Sequence, residues 1–123
     1  MGYDAYKKTQ NVSTTSPRDL EYRLLGSVTA ALLDAETDPD QVAKRAEAVC
    51  WNREVWAAFR GDLLHQGNQL PQHIKDDLVD LSRWVDRETA RVLTGATDKL
   101  DGLIEVNKNI MNGLAPPSSP AGS

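Results

Sequence analysis

The sequence predicts an all-α fold, a small bundle of about four helices with a central antiparallel helical hairpin. Apolar residues recur at steps of three, four and seven along several stretches, which places them on one face of a helix. No stretch of about four to eight residues alternates between apolar and polar side chains, as a half-buried strand would. A length of 123 residues suits one domain with a single core. We therefore expect one helical domain over residues 16–114.

The two ends of the chain differ in composition from this domain. Residues 1–15 carry few apolar side chains, too few to order the segment on its own. Residues 115–123 read APPSSPAGS, a composition typical of disorder. We predict a flexible N-terminal segment and a disordered Pro/Ser-rich C-terminal tail.

The first predicted helix begins at Ser16 and ends near Ala35. The stretch Ser16-Pro17-Arg18-Asp19 combines a hydroxyl cap, a proline at the first helical position and an acid three residues after the cap. We expect its apolar stripe to face the core. The stripe consists of Leu20, Leu24, Val28, Ala31 and Leu32, with Leu25 and Leu33 on its flank.

The second predicted helix is the first arm of the hairpin and runs from about Pro39 to Leu64. Asp38 is its predicted cap, and Gln41 completes a capping box. Its core-facing stripe consists of Val42, Ala46, Val49, Trp56, Phe59 and Leu63.

The third predicted helix is the second arm and follows a sharp corner at residues 66–70. The corner contains a glycine and an asparagine, and Pro71 then suits the first turn of a new helix. Gly95 stands where a left-handed cap would end this helix. Its stripe consists of Ile74, Leu78, Leu81, Val85 and Val92. The apolar stripes of the two arms should face each other.

A fourth helix is expected from residues 97–98 to about Met111. Its stripe consists of Leu100, Leu103, Ile104, Ile110 and Met111. Asn107 interrupts this stripe, and a buried amide must find hydrogen-bond partners. Asn52 and Arg53 of the second helix point inward as well, so we hypothesise that they pair with Asn107 and fix the register of the core.

The predicted core combines residues from all four stripes. Its members are Leu24, Val28, Val49, Trp56, Phe59, Leu63, Leu78, Leu81, Val85 and Ile110.

Two tryptophans lie away from the stripes. At about 100° per residue, Trp51 lies roughly 140° from Trp56, on a second patch with Ala48, Val55 and Ala58. Either the N-terminal segment with Tyr3 and Tyr6 covers this patch, or the patch is exposed for another protein. Trp84 lies at the rim of the third helix's stripe, a position typical of boundary packing and sometimes of an interface.

The sequence offers no motif for catalysis, a metal or a cofactor. His65 and His73 lie on either side of the corner without a helical ligand spacing. Cys50 lies inside a helical pattern without a Cys-His motif around it. We predict no catalytic residue, no metal site and no cofactor, so the protein should not be an enzyme.

The acidic stretch at residues 34–40 invites comparison with a calcium loop. Pro39 stands where an EF-hand requires glycine, and Arg45 stands where it requires a bidentate acid. We therefore interpret this stretch as a helix connection.

Charge and hydropathy limit the possible partners and the cellular compartment. A formal net charge of −4 argues against a nucleic-acid partner, which would be held by clustered Lys and Arg. No apolar run approaches the ~20 residues of a membrane span, and the N-terminus lacks the pattern of a secretory signal. A single cysteine agrees with a reducing compartment. We expect a cytoplasmic protein that binds neither membranes nor nucleic acid.

Five stretches of the chain carry a resemblance to a known family. They are AY at residues 5–6, SPRDLEYRLL at 16–25, NREVWAAFRGDL at 52–63, NQLPQHIKDDLVDLSRWVDRET at 68–89 and LIEVNKNIMNGL at 103–114. Together they resemble the FlaF family of flagellar biosynthesis regulators, which is found in alphaproteobacteria. Cys50 and Trp84, which stands where phenylalanine is usual, are mild departures.

The resemblance implies a small cytoplasmic protein that supports the synthesis and secretion of flagellin and has no catalytic residues. Members are thought to bind flagellin as a chaperone or escort, and to work with a companion regulator, FlbT. The alternative is a regulatory subunit that acts through FlbT on the translation of flagellin mRNA. A third possibility is a structural bundle without a ligand, which requires the N-terminus to cover both Trp51 and Trp84. The candidate partner-binding residues are Trp51, Val55, Trp84 and Met111.

Overall fold

The computed structural model describes residues 17–114, and these residues form four α-helices and no strand. The helices are α1 (Pro17–Glu36), α2 (Val42–Leu64), α3 (Gln72–Leu93) and α4 (Asp101–Leu114). The prediction of a small all-α bundle is confirmed. The predicted flexible segment, the Ser16 cap and the C-terminal tail lie outside the described residues.

The helix α2 is the centre of the bundle. It packs against α1 on one side and α3 on the other, and α1 also packs against α4. The first turns of α2 share a cavity with the end of α3, whereas Phe59 shares a groove with Ile74 and Leu78 near the start of α3. The two helices therefore run antiparallel, as the predicted hairpin requires.

The core lies between α2 and the three helices around it. Six predicted core residues, Val28, Val49, Trp56, Phe59, Leu63 and Val85, are buried. The other four, Leu24, Leu78, Leu81 and Ile110, are half-buried and pack against this core. The core also contains Leu25, Leu32, Ala35, Ala48, Val55, Val79, Leu100, Leu103 and Ile104.

The predicted stripes of α1 and α2 are each wrong at one residue. Leu25, expected on the flank of the α1 stripe, is fully buried, because α1 packs against both α2 and α4 and so buries a wider arc than one stripe. Val42, expected in the α2 stripe, is 74% exposed, because it lies at the first position of the helix, where the chain enters from the loop.

The end of α3 follows the predicted left-handed cap. Gly95 has a φ of 82°, which glycine adopts without steric cost. The N–H of Gly95 donates to the carbonyl of Val92, and the N–H of Ala96 donates to the carbonyl of Arg91. This pair of bonds is a Schellman motif, which satisfies carbonyls that the helix leaves free.

The start of α2 differs from the prediction, since the helix begins at Val42 and not at Pro39. The carbonyl of Asp38 accepts the N–H of Gln41, so residues 38–41 form a turn ahead of the helix. The Asp38 carboxylate lies 3.8 Å from the Lys44 ammonium, and Gln41 makes no side-chain cap. The predicted capping box is therefore wrong, because its acid pairs with a lysine.

The bounds of α4 also differ, since the helix begins at Asp101 and ends at Leu114. The Thr97 hydroxyl accepts the N–H of Lys99, which places a turn where the helix was expected to begin. The connection from α3 is accordingly longer than predicted.

Candidate partner-binding surfaces

Trp51 lies at the surface between α1 and α2. Its side chain is 38% exposed, and it borders a shallow depression whose other walls include Ala31, Lys44 and Glu47. The predicted cover from Tyr3 and Tyr6 lies outside the described residues. Within the described part of the chain, Trp51 is available to a partner.

Val55 is not available, because only 7% of it is exposed and it belongs to the core. Its helical spacing predicted a patch shared with Trp51 and Ala48, but α1 and α3 together bury more of α2 than a single stripe, and Ala48 is buried as well. The prediction that Val55 is an exposed residue for partner binding is wrong.

Trp84 and Met111 are both half-buried, and they face different helices. A Cβ placed on Gly102 would lie 3.3 Å from Cη2 of Trp84, so the indole covers the start of α4. A Cβ placed on Gly26 would lie 3.9 Å from Sδ of Met111, which therefore faces α1. With Trp51 between α1 and α2, the proposed anchors do not form one surface, and a role for each in binding stays a prediction.

The core leaves the apolar stripe of α3 partly uncovered. The residues that α3 buries are small or polar: Val79, Ser82, Val85 and Thr89. Most of the other apolar residues of α3 are only half-buried: Ile74, Leu78, Leu81, Trp84 and Val92. At about 100° per residue, the centre of the buried set is rotated by roughly 70° from the centre of the apolar stripe. The helix thus buries Val85 and one flank of its stripe, and leaves the rest of the stripe partly uncovered.

A groove opens beside this stripe, between the first half of α3 and the second half of α4. We call it the α3–α4 groove, and its volume is 180 Å³. Its lining consists of Phe59, Leu70, Ile74, Leu78, Asn109, Ile110 and Gly113. Phe59 is buried and belongs to the core, whereas Gly113 is exposed at the rim. A Cβ placed on Gly113 would meet no atom within 4 Å, so the groove is open at that point.

A chain of buried hydrogen bonds fixes α4 against α2. The Trp56 Nε1–H donates to Oδ1 of Asn107, and Nδ2 of Asn107 donates to Oδ1 of Asn52, both at 2.8 Å. The predicted pairing of Asn107 with Asn52 is confirmed. Arg53 is not part of it, since its guanidinium lies 3.9 Å from Sγ of Cys50. The Asn52 Nδ2 is buried without a partner among the described residues.

A second polar contact joins α2 to α3. Nη1 of Arg60 donates to Oγ of Ser82 and to Oδ2 of Asp86, both at 3.1 Å. The Ser82 hydroxyl donates to the carbonyl of Val79. This contact holds the polar flank of α3 on α2 and so sets the rotation that leaves the apolar stripe beside α4.

The two histidines that were considered as metal ligands do not form a metal site. Nδ1 of His65 accepts the N–H of Gly67 at 3.0 Å and so closes the turn after α2, while His73 is exposed. Among residues 17–114, no group of three or more His, Cys, Asp or Glu side chains is placed to hold a metal ion. None of the four described helices is long and apolar enough to cross a membrane.

The fold and its surfaces define a small helical bundle with apolar grooves that another protein could occupy. The family model described as "Flagellar protein FlaF" matches residues 3–114. The chain therefore belongs to the FlaF family and has a role connected with the flagellum. This is a family of flagellar proteins and not a known enzyme family. No curated protein and no solved structure matches the chain.

Proposed function

We propose that this protein binds flagellin in the cytoplasm, as an escort that supports flagellin synthesis and secretion. The α3–α4 groove, beside the half-buried stripe of α3, is the observation that carries the proposal. Membership of a flagellar protein family directs the choice of partner. A helical segment of unassembled flagellin would place its apolar face in this groove.

The groove suits an amphipathic helix for physical reasons. Such a helix presents apolar side chains at steps of three and four residues, which is also the spacing of Ile74, Leu78 and Leu81 along α3. Ordering a disordered segment costs about 2–5 kcal/mol. At about 25 cal/mol per Å², burying roughly 200 Å² of apolar surface offsets the upper end of that cost.

A second candidate function is a regulatory subunit that acts through FlbT on the translation of flagellin mRNA. The exposed Trp51 between α1 and α2 supports it, because this surface is separate from the α3–α4 groove. The acidic net charge of −4 favours contact with a protein over contact with the mRNA itself.

Calorimetric titration with purified monomeric flagellin tests the first proposal. The variant Gly113→Leu places a side chain in the open space at the groove, and Gly61→Leu is its matched control. Both glycines are exposed in helices, and a Cβ on either would meet nothing within 4 Å. Leucine favours a helix over glycine at both positions, so both variants should fold. Only Gly61 lies outside the groove lining.

We expect the wild-type chain and Gly61→Leu to bind flagellin alike, and Gly113→Leu to bind about tenfold more weakly or worse. Absence of wild-type binding would contradict the escort function. Equal binding by both variants would show that flagellin does not bind in the α3–α4 groove.

Titration with FlbT, alone and after saturation with flagellin, tests the second candidate. Tight FlbT binding that Trp51→Ala weakens, without binding of flagellin, would favour the regulatory subunit. Binding of both proteins at once would assign them separate surfaces.

A further inference from the structure

A cavity of 290 Å³ lies at the end of the bundle opposite to the α3–α4 groove. We call it the Arg45 cavity. The first turns of α2 form one side of it, and the last turn of α3 and the connection to α4 form the other. Its volume lies near the lower end of the range for small-molecule pockets, about 300–1,000 Å³. It is large enough for one residue or a small ligand.

The cavity contains a buried cation, Arg45, that forms no ion pair within residues 17–114. Arg45 is 8% exposed, and its Nη2 donates to the backbone carbonyl of Asp98. No carboxylate of the described residues forms an ion pair with it, whereas Arg60 pairs with Asp86 and Arg91 pairs with Glu88. A guanidinium has several N–H donors in a planar fork that matches a carboxylate. A buried charge is costly unless it is paired, so Arg45 favours an anion in the cavity.

The walls on both sides of this cation carry apolar side chains. Val42 is 74% exposed and Leu93 is 41% exposed, and both line the cavity with the half-buried Ala46 and Val92. Exposed aliphatic side chains on both sides of one cavity gain free energy when an apolar group comes between them. The occupant must therefore carry a carboxylate and an apolar side chain close together.

We propose that the Arg45 cavity captures the C-terminal residue of a polypeptide when that residue is apolar. Such a residue carries a carboxylate and an aliphatic side chain on the same Cα, whereas glutamate has a carboxylate without an apolar branch. The carboxylate pairs with the Arg45 guanidinium in a charge-assisted hydrogen bond, and the side chain lies between Val42 and Leu93. This site is distinct from the α3–α4 groove and does not depend on flagellin binding.

One acidic group of the cavity lining opposes this binding. Asp98 lines the cavity, and its carboxylate repels the carboxylate of the ligand because the two charges are alike. Because Arg45 is bonded to the backbone of Asp98, Asp98→Asn keeps that contact and should strengthen binding of a carboxylate.

Three small probes test the proposal by NMR titration of the isotope-labelled full chain. N-acetyl-leucine mimics a C-terminal leucine, N-acetyl-leucinamide lacks the charge, and free leucine carries an additional ammonium. We expect N-acetyl-leucine to shift the methyl signals of Val42, Val92 and Leu93. The amide should bind about tenfold more weakly or worse. Equal binding of the amide would overturn the proposal. If free leucine bound as tightly as N-acetyl-leucine, the ligand of the cavity would be a free amino acid and not the C-terminus of a peptide, which would also overturn it.

Matched variants separate a built site from general surface binding. Arg45→Met keeps the aliphatic stem and removes the charge, while Arg91→Met does the same at an exposed arginine outside the cavity. We expect Arg45→Met to abolish the difference between the acid and the amide, and Arg91→Met to retain it. Retention of that difference in Arg45→Met would contradict the assignment.

The apolar wall is tested with two exposed residues of α2. Val42→Ser should weaken N-acetyl-leucine, whereas Leu64→Ser, at the far end of the helix and 68% exposed, should not. Both positions are exposed, so neither change should unfold the protein. Equal binding by the two variants would contradict a role for the Val42 wall, whatever the outcome at Arg45 or with flagellin.

Discussion

The central helices α2 and α3 are nearly equal in length but differ in what they bury. The helix α2 buries large apolar side chains, including Trp56, Phe59 and Leu63. The helix α3 buries Val79, Ser82, Val85 and Thr89, and leaves its larger apolar residues half-buried. The helix α2 thus holds the fold together, while α3 presents apolar surface at the α3–α4 groove.

The rotation of α3 explains this division. Arg60 holds Ser82 and Asp86, so the polar flank of α3 faces α2 and its apolar stripe turns toward α4. The helix α4 has only 14 residues and covers this stripe incompletely. Surface that a monomer leaves uncovered in this way is often a binding surface.

The largest expected effect tests the role of α2. Trp56→Ala should lower the free energy of unfolding by about 3–5 kcal/mol, because it leaves a cavity in the centre of the core. Trp56→Phe should cost less, about 1–3 kcal/mol, because it keeps much of the ring and leaves Oδ1 of Asn107 without its indole donor. Denaturant unfolding measures both. If Trp56→Ala cost no more than an exposed substitution, α2 would not be the centre of stability.

The next effect compares the same substitution in the two helices. Leu63→Ala should cost about 2–5 kcal/mol because Leu63 is fully buried, while Leu78→Ala should cost about 1–2 kcal/mol because Leu78 is half-buried. Unfolding curves of both variants, recorded in the same buffer, give the difference. Flagellin titration should show the larger relative loss of binding for Leu78→Ala. Equal losses of unfolding free energy would contradict the claim that α2 contributes more to stability than α3.

The smallest effect concerns the contact that sets the rotation of α3. Asp86→Asn should lower the free energy of unfolding by less than about 1 kcal/mol, since the ion pair with Arg60 is partly exposed. The loss should shrink as salt concentration rises, because salt screens the wild-type pair. Unfolding at low and high salt checks both points. A loss that is large and independent of salt would indicate that Asp86 has a packing role.

Local signals in the sequence predicted much of the fold. The steps of the apolar residues predicted the helices. Gly95 marked the end of α3 because glycine is the residue that best adopts the left-handed conformation of a helix cap. The polar interruption at Asn107 predicted its bond to Asn52, since a buried amide requires a partner.

Contacts between helices explain what the sequence could not predict. Periodicity identifies the apolar stripe of α3 but not which flank of it faces α2, which depends on Arg60, a residue of another helix. Val55 was misplaced for a similar reason, because its burial depends on the neighbours of α2. The Arg45 cavity joins residues about fifty positions apart, and only the folded chain shows that Arg45 is buried there without an ion pair among residues 17–114.

The most direct test of the central claim is an NMR map of the labelled chain with and without flagellin. We predict that the signals of Phe59, Ile74, Leu78 and Ile110 change, while those of the α1–α2 surface around Trp51 do not. Changes centred on Trp51, with the α3–α4 groove unaffected, would contradict flagellin binding in that groove.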